Sequence, residues 1–251
     1  MAGVDGRVIL VTGGSRGIGL ETANLLASRG GKVMCVARDE RELAATGHAY
    51  CVADLGTPEG CVKAVAAAEN QLGPVDILIC NHGLGSAHEK VLWDQDPDDW
   101  QRSMRINLDG PFYLSRAVMP RMIERKYGRL VFTSSTAAQI SEPAGAPYNS
   151  SKAGLLGLMR SVSEDGGIHN ITANAVLPGW VKTDMADRSA QVEADERGLK
   201  VEDIWTERAS LYPAKRVATP REVAEMIAFF ASEESSGVSG ESVRVALGGV
   251  Y

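Results

Sequence analysis

Short apolar runs rich in β-branched residues recur along the chain. They alternate with longer stretches whose apolar positions return every three or four residues. The first pattern predicts buried strands at 7–11, 32–37, 48–53, 77–80, 128–134, 172–177 and 242–246. The second predicts helices near 18–28, 59–71, 97–106, 109–125, 148–164 and 220–231. Seven strands separated by helices imply an α/β fold: a parallel, doubly wound sheet with right-handed crossovers and helices on both faces. No repeat, linker or low-complexity segment divides the pattern, so residues 1–251 read as one domain.

Two places break the rhythm. Gly166-Gly167 falls where the helix after Tyr148 should finish; each glycine costs a helix about 1 kcal/mol, which predicts its end there. Residues 185–212 form a longer insertion of mixed polarity. It reads as a short helical substrate lid or as a decorated surface; ligands of open α/β sheets bind beyond the carboxyl ends of the strands, which favours the lid.

Composition adds exclusions. The 251 residues are 44% apolar and 23% charged, an ordinary globular balance. A net charge of −6 argues against broad binding to nucleic acid or anionic membrane. No apolar run is long enough to span a bilayer, and no basic segment followed by an apolar stretch opens the chain. The expected place is the cytoplasm. Cys35, Cys51, Cys61 and Cys80 make no C-x-x-C pair, and Cys35 and Cys80 read as buried thiols. His82 and His88 lack metal-ligand spacing, so no metal site is expected.

Candidate chemistry begins between the first strand and first helix, at Thr12-Gly13-Gly14-Ser15-Arg16-Gly17-Ile18-Gly19. Glycines allow a tight turn and close backbone approach; free N–H groups and the helix dipole then favour a pyrophosphate. This is the phosphate cradle of a Rossmann-type dinucleotide fold. The second strand ends Ala37-Arg38-Asp39, without an acid at the position that would pair with a free ribose. Arg38 and Arg16 can instead grip the 2′-phosphate of NADP, although Asp39 could reach the ribose. NADP is therefore expected over NAD. Asp54, before Leu55, can accept a bond from an adenine amino group or serve as a turn residue. Asn81-His82-Gly83 ends the fourth strand, and Gly83 would let backbone approach the adenine ribose.

A second group carries proton chemistry. Tyr148 and Lys152 stand four apart on a predicted helix, on one face. A nearby cation favours the phenolate, which lets a tyrosine serve as acid in one direction and base in the other. Ser135 ends the fifth strand at the same mouth of the sheet, where its hydroxyl can hold a carbonyl oxygen. Ser134 faces the other way and reads as structural. Asn107 lies in a helical region, where an amide caps or bends a helix.

Taken together and in this order, Thr12-Gly13-x-x-x-Gly17-x-Gly19, Asn81-x-Gly83, Asn107, Ser135, Tyr148-x-x-x-Lys152 and Pro178-Gly179 resemble the short-chain dehydrogenase/reductase family over essentially the whole chain. The resemblance implies that Tyr148 exchanges the proton and Ser135 orients the reacting oxygen. It implies that Lys152 holds the nicotinamide ribose and depresses the Tyr148 pKa, while Asn107 supports a water leading from Lys152 to solvent. Thr12, Ser15, Ile18 and Asn81 would line the cofactor. In Pro178-Gly179-Trp180-Val181-Lys182-Thr183, Val181 and Thr183 would fix the carboxamide. Cys80 and His82 depart from the usual N-N-A-G, and Leu247 stands where the family often has aspartate. A homotetramer or homodimer is implied.

The implied activity is an NADP(H)-dependent interconversion of a ketone and a secondary alcohol, in the branch of 3-oxoacyl-carrier-protein reductases and related ketone reductases. An apolar small-molecule substrate would meet Leu199, Val201, Ile204 and Trp205 of the lid; Arg125, Lys126 and Arg129 are candidates for a basic patch receiving an acidic carrier. Two other readings stay open. One is an NAD-dependent catabolic alcohol, sugar or steroid dehydrogenase. The other is a non-catalytic NADP-binding sensor or scaffold on the same fold.

Overall fold

A computed structural model describes residues 3–85, 90–141 and 143–249. The strands are β1 (Val8–Thr12), β2 (Lys32–Ala37), β3 (Ala49–Val52), β4 (Ile77–Cys80), β5 (Gly128–Thr133), β6 (Ile171–Pro178) and β7 (Ser242–Val245). They form one parallel sheet of seven strands, in the order β3-β2-β1-β4-β5-β6-β7. The order reverses between β1 and β4. Their carboxyl ends, Thr12 and the residues after Cys80, therefore border the crevice where such sheets bind ligands.

Both faces of the sheet are covered, which is why its strands read as unbroken apolar runs. Side chains alternate across each strand. In β1, Val8 and Leu10 join a core with α3 (Pro58–Leu72), α5 (Gly110–Arg125) and α6 (Ala146–Gly166). Ile9 and Val11 join a second core with α1 (Gly17–Ser28) and α9 (Pro220–Ala231). Helix α9 starts with a reciprocal cap, Thr219 with Glu222, and with Pro220 in its first turn.

The predicted elements stand within a few residues of the observed ones. The helix after Tyr148 runs on through Gly166 into a 3₁₀ turn, Gly167–His169. Three features have no counterpart in the hydrophobic pattern. Helix α2 (Glu40–Ala44) is a single turn capped by Asp39. Helix α4 (Pro97–Met104) passes into α5 through a π-helical turn, Arg105–Asp109. The insertion folds as α7 (Asp184–Arg197) and α8 (Val201–Ser210).

One expectation is corrected. Arg129 cannot join a basic patch at the site mouth. It is fully buried, donates to the carbonyls of Gly128, Asn170 and Ser232, and pairs with Glu233. Arg7 and Arg129 both stack on the Tyr127 ring, at 3.7 and 4.6 Å from its centroid. Arg125 is bonded to Asp76 and to the carbonyl of Val75. Arg125, Lys126 and Arg129 all lie at the amino end of β5. In a parallel sheet that is the end away from the crevice.

Candidate active site

The glycine-rich turn has the geometry of a cradle that side chains would fill. Gly13 and Gly17 have φ of +64° and +55°, which a β-carbon disfavours. A β-carbon on Gly19 would lie 2.1 Å from the Gly13 carbonyl oxygen and 2.6 Å from Asn81 Nδ2. The turn is tied to the sheet by Gly13 N–H, which donates to the Val36 carbonyl at 2.7 Å.

Thr12 joins this turn to the end of β4. Its hydroxyl donates to the Ile79 carbonyl at 3.0 Å and accepts from Asn81 N at 2.9 Å. His82 Nδ1 lies 2.8 Å from the same oxygen. Burial, followed by the Lys152 charge, lowers the His82 pKa to about 3, so its ring is neutral. His82 thus supports the loop as a neutral ring, in place of the smaller residue the family pattern leads one to expect.

The residues expected to carry proton chemistry lie around the carboxyl ends of β4 and β5. Lys152 is 5% exposed, and its Nζ donates to the Thr133 carbonyl at 2.9 Å. That nitrogen stands 5.8 Å from the centroid of the Tyr148 ring. Burial pulls the Lys152 ammonium down from 10.5 to about 8, so it is still charged at neutral pH. Ser135 begins the turn after β5, and its Oγ accepts from Ala137 N at 3.1 Å. Ser134 Oγ donates to the Lys152 carbonyl at 2.9 Å, which fixes α6 against β5.

Asn107 sits in the π-helical turn, 1% exposed. Its Oδ1 accepts from Leu84 N at 2.7 Å, and its Nδ2 donates to the Leu84 carbonyl and to Ser151 Oγ at 3.1 and 3.0 Å. Ser151 Oγ in turn donates to the Tyr148 carbonyl at 2.8 Å. The amide therefore links the loop after β4 to the first turns of α6. The fully buried Ser151 escapes a reading of the sequence, because nothing local marks a helical serine as a bridge. Gly83 also has a packing role that the sequence does not announce: its missing side chain leaves room for Asn107 and Lys152. A β-carbon there would lie 3.1 Å from Asn107 Oδ1 and 3.3 Å from Lys152 Nζ.

A cleft of about 390 Å³ opens at the ends of β2 and β3, lined by Arg38, Val52, Ala53, Asp54, Glu59, Gly60 and Lys63. Asp54 Oδ1 accepts from Gly56 N at 3.0 Å, and the following Leu55 is buried. Lys63, which no sequence motif singles out, donates to the Val52 carbonyl at 2.8 Å. Asp39 caps α2 and accepts from Glu42 N at 2.9 Å, which gives its carboxylate a local partner.

Beyond β6, residues 178–183 lie against the glycine-rich turn. A β-carbon on Gly17 would be 3.4 Å from Thr183 Cγ2. Val181 pairs with Ala218 and is buried, and Thr183 caps α7 through Ala186 N at 3.3 Å. Trp180 stacks on the Arg208 guanidinium at 3.7 Å, which holds α8 against this segment. Ile204 is buried between α7 and α8, with Val201 and Trp205 packed beside it, whereas Leu199 is exposed. His88 lies outside the described residues.

Residues 7–194 match the family model described as short chain dehydrogenase. The chain belongs to this family. It is accordingly an oxidoreductase acting between CH–OH and C=O groups. Among similar proteins is the 3-oxoacyl-[acyl-carrier-protein] reductase FabG of Vibrio cholerae, 32% identical over 99% of this chain and 98% of its own. MabA of Mycobacterium tuberculosis, a reductase of the same description, is 35% identical over 95% of this chain and 91% of its own. The solved structure of a point variant of actinorhodin polyketide ketoreductase with NADPH superposes with a TM-score of 0.90. It is 30% identical, and the match covers 100% of both chains. No described helix of this dehydrogenase is long and apolar enough to cross a membrane.

Proposed function

We propose that this chain is an NADP(H)-dependent ketone reductase in which Tyr148 is the proton donor. The observation that carries the reading is a buried Lys152 that bonds the Thr133 carbonyl, two residues before Ser135, and stands 5.8 Å from the centroid of the Tyr148 ring. The cradle fits a dinucleotide because its glycines occupy positions that β-carbons would block. Gly13, Gly17, Ile18 and Gly19 would hold the pyrophosphate, with Thr12 and Asn81 fixing the loop beneath it and Ser15 beside Arg16 at the 2′-phosphate. Asp54 and Leu55 would face the adenine, Gly83 the adenine ribose, Lys152 the nicotinamide ribose, and Pro178, Gly179, Val181 and Thr183 the carboxamide. When bound, the nicotinamide supplies a hydride.

Ser135 holds the substrate carbonyl oxygen, and Tyr148 gives it a proton as an alcohol forms. Lys152 stabilises the resulting phenolate by its charge. Asn107 keeps the loop after β4, the π turn and α6 in register around it.

Arg16 and Arg38 supply the guanidinium groups for a 2′-phosphate. Arg38→Asp is expected to weaken NADPH binding roughly 10- to 100-fold, the scale of one lost charge-assisted bond with repulsion added. NADH should change by less than about threefold. Fluorescence titration with both cofactors checks this, and equal losses would remove Arg38 from phosphate recognition.

The substrate class favoured is a 3-oxoacyl thioester or another apolar ketone, as the names of the carrier-protein reductases suggest, with α7 and α8 as its lid. Oxidation of NADPH against a panel of oxoacyl thioesters, cyclic diketones, steroids and sugars tests this. Turnover confined to sugars would overturn the apolar assignment. A homotetramer or homodimer is proposed from the family likeness alone. Four buried, unpaired cysteines fit the reducing cytoplasm.

A further inference from the structure

Two of the groups assigned above to the cofactor already hold an anion. Glu42, in the single turn of α2, accepts from Arg16 Nη1 at 2.6 Å and from Ser15 Oγ at 2.9 Å. The Asp39 cap at its backbone N–H sets that turn beside the glycine loop. A 2′-phosphate carries nearly two negative charges. It can take the guanidinium and the hydroxyl only by displacing the carboxylate or by sharing them with it. Either way, phosphate and carboxylate repel each other.

We propose that Glu42 is a specificity-determining residue of the cofactor site. It competes with the 2′-phosphate for Arg16 and Ser15, and so narrows the preference for NADP(H) over NAD(H). This rests on the reading of Arg16 as a phosphate ligand. Glu42 also orients Arg16, which acts in the opposite direction. Water screens both effects, since the two side chains are 42% and 35% exposed, but the hold joins two single charges whereas the repulsion meets a phosphate of nearly two. The repulsion falls on every cofactor bearing the extra phosphate and on none lacking it.

Calorimetric titration of the full chain with 2′,5′-ADP and 5′-ADP, at one low ionic strength, separates the cases. Glu42→Gln keeps the shape of the side chain and removes its charge. It is expected to tighten 2′,5′-ADP by about three- to tenfold while 5′-ADP stays within about twofold. In an Arg16→Ala background the gain should shrink, because competition for the guanidinium is gone and only Ser15 and the direct repulsion remain. If Arg16→Ala weakens 2′,5′-ADP but Glu42→Gln leaves it unchanged or weaker, Glu42 is no competitor and the phosphate reading survives. If Arg16→Ala leaves 2′,5′-ADP unchanged, the phosphate reading fails and takes this inference with it.

Discussion

Replacing Tyr148 by phenylalanine is expected to lower kcat by about 10²- to 10⁴-fold, the range that positioned acid–base groups contribute. The ring and its neighbour Lys152 remain, so the dissociation constant of NADPH should move by no more than about threefold. Equilibrium titration and steady-state rates, measured on one preparation, check both halves. A variant that keeps most of its turnover would remove the phenol from proton transfer. A variant that loses NADPH as well would make Tyr148 a binding residue.

The second large effect has opposite signs in activity and stability. Lys152 is buried and its pKa is drawn down from 10.5 to about 8, so the folded state holds its proton less tightly than the unfolded chain does. Between those values the unfolded chain binds more protons, and wild-type stability rises with pH. Below about pH 8 the ammonium is charged in both states, and its burial costs on the order of 3 kcal/mol.

Lys152→Met removes that cost and leaves the Thr133 carbonyl without its bond, a loss of about 1 kcal/mol. The variant is therefore expected to be more stable than wild type at pH 7, by about 1–2 kcal/mol. The advantage should disappear as pH rises through about 10.5. Turnover should collapse, because the phenolate loses its cation. Urea melts at several pH values decide the matter. A variant less stable at pH 7 would mean that the ammonium is solvated or paired better than its surroundings indicate. In the wild type, turnover should fall as pH rises through about 8 and Lys152 loses its charge.

The cofactor cradle is legible in the sequence because its signals are local. Gly13, Gly17 and Gly19 stand where one turn forbids side chains, and strand and helix periodicities frame them. The i, i+4 spacing of Tyr148 and Lys152 is local in the same sense. The remaining features depend on contacts between distant segments. Nothing near Ser151 announces that it joins Asn107 to Tyr148, and nothing near Glu42 announces that it holds Arg16. Gly83 reads as a cofactor contact, yet its bare α-carbon also makes space for Asn107 and Lys152. The π turn at Arg105–Asp109 leaves helical periodicity almost undisturbed while rotating Asn107 into the loop contact.

Arg129 is the instructive error. Beside Arg125 and Lys126 it suggests a solvated basic cluster. It is the second residue of a central strand, so a long cation there must be buried and satisfied by carbonyls and Glu233. The strand predicted at 128–134 already carries that consequence, because both faces of a parallel sheet are covered.

The central claim is that one tyrosine, supported by a buried lysine and partnered by Ser135, protonates a carbonyl beside the nicotinamide. A crystal structure of the complex with NADPH and a bound ketone tests it most directly. The account predicts the Tyr148 and Ser135 hydroxyls both within hydrogen-bond distance of the carbonyl oxygen, with Lys152 Nζ on the nicotinamide ribose. A closed, fully liganded complex in which the Tyr148 hydroxyl points into solvent, away from Ser135, would contradict it.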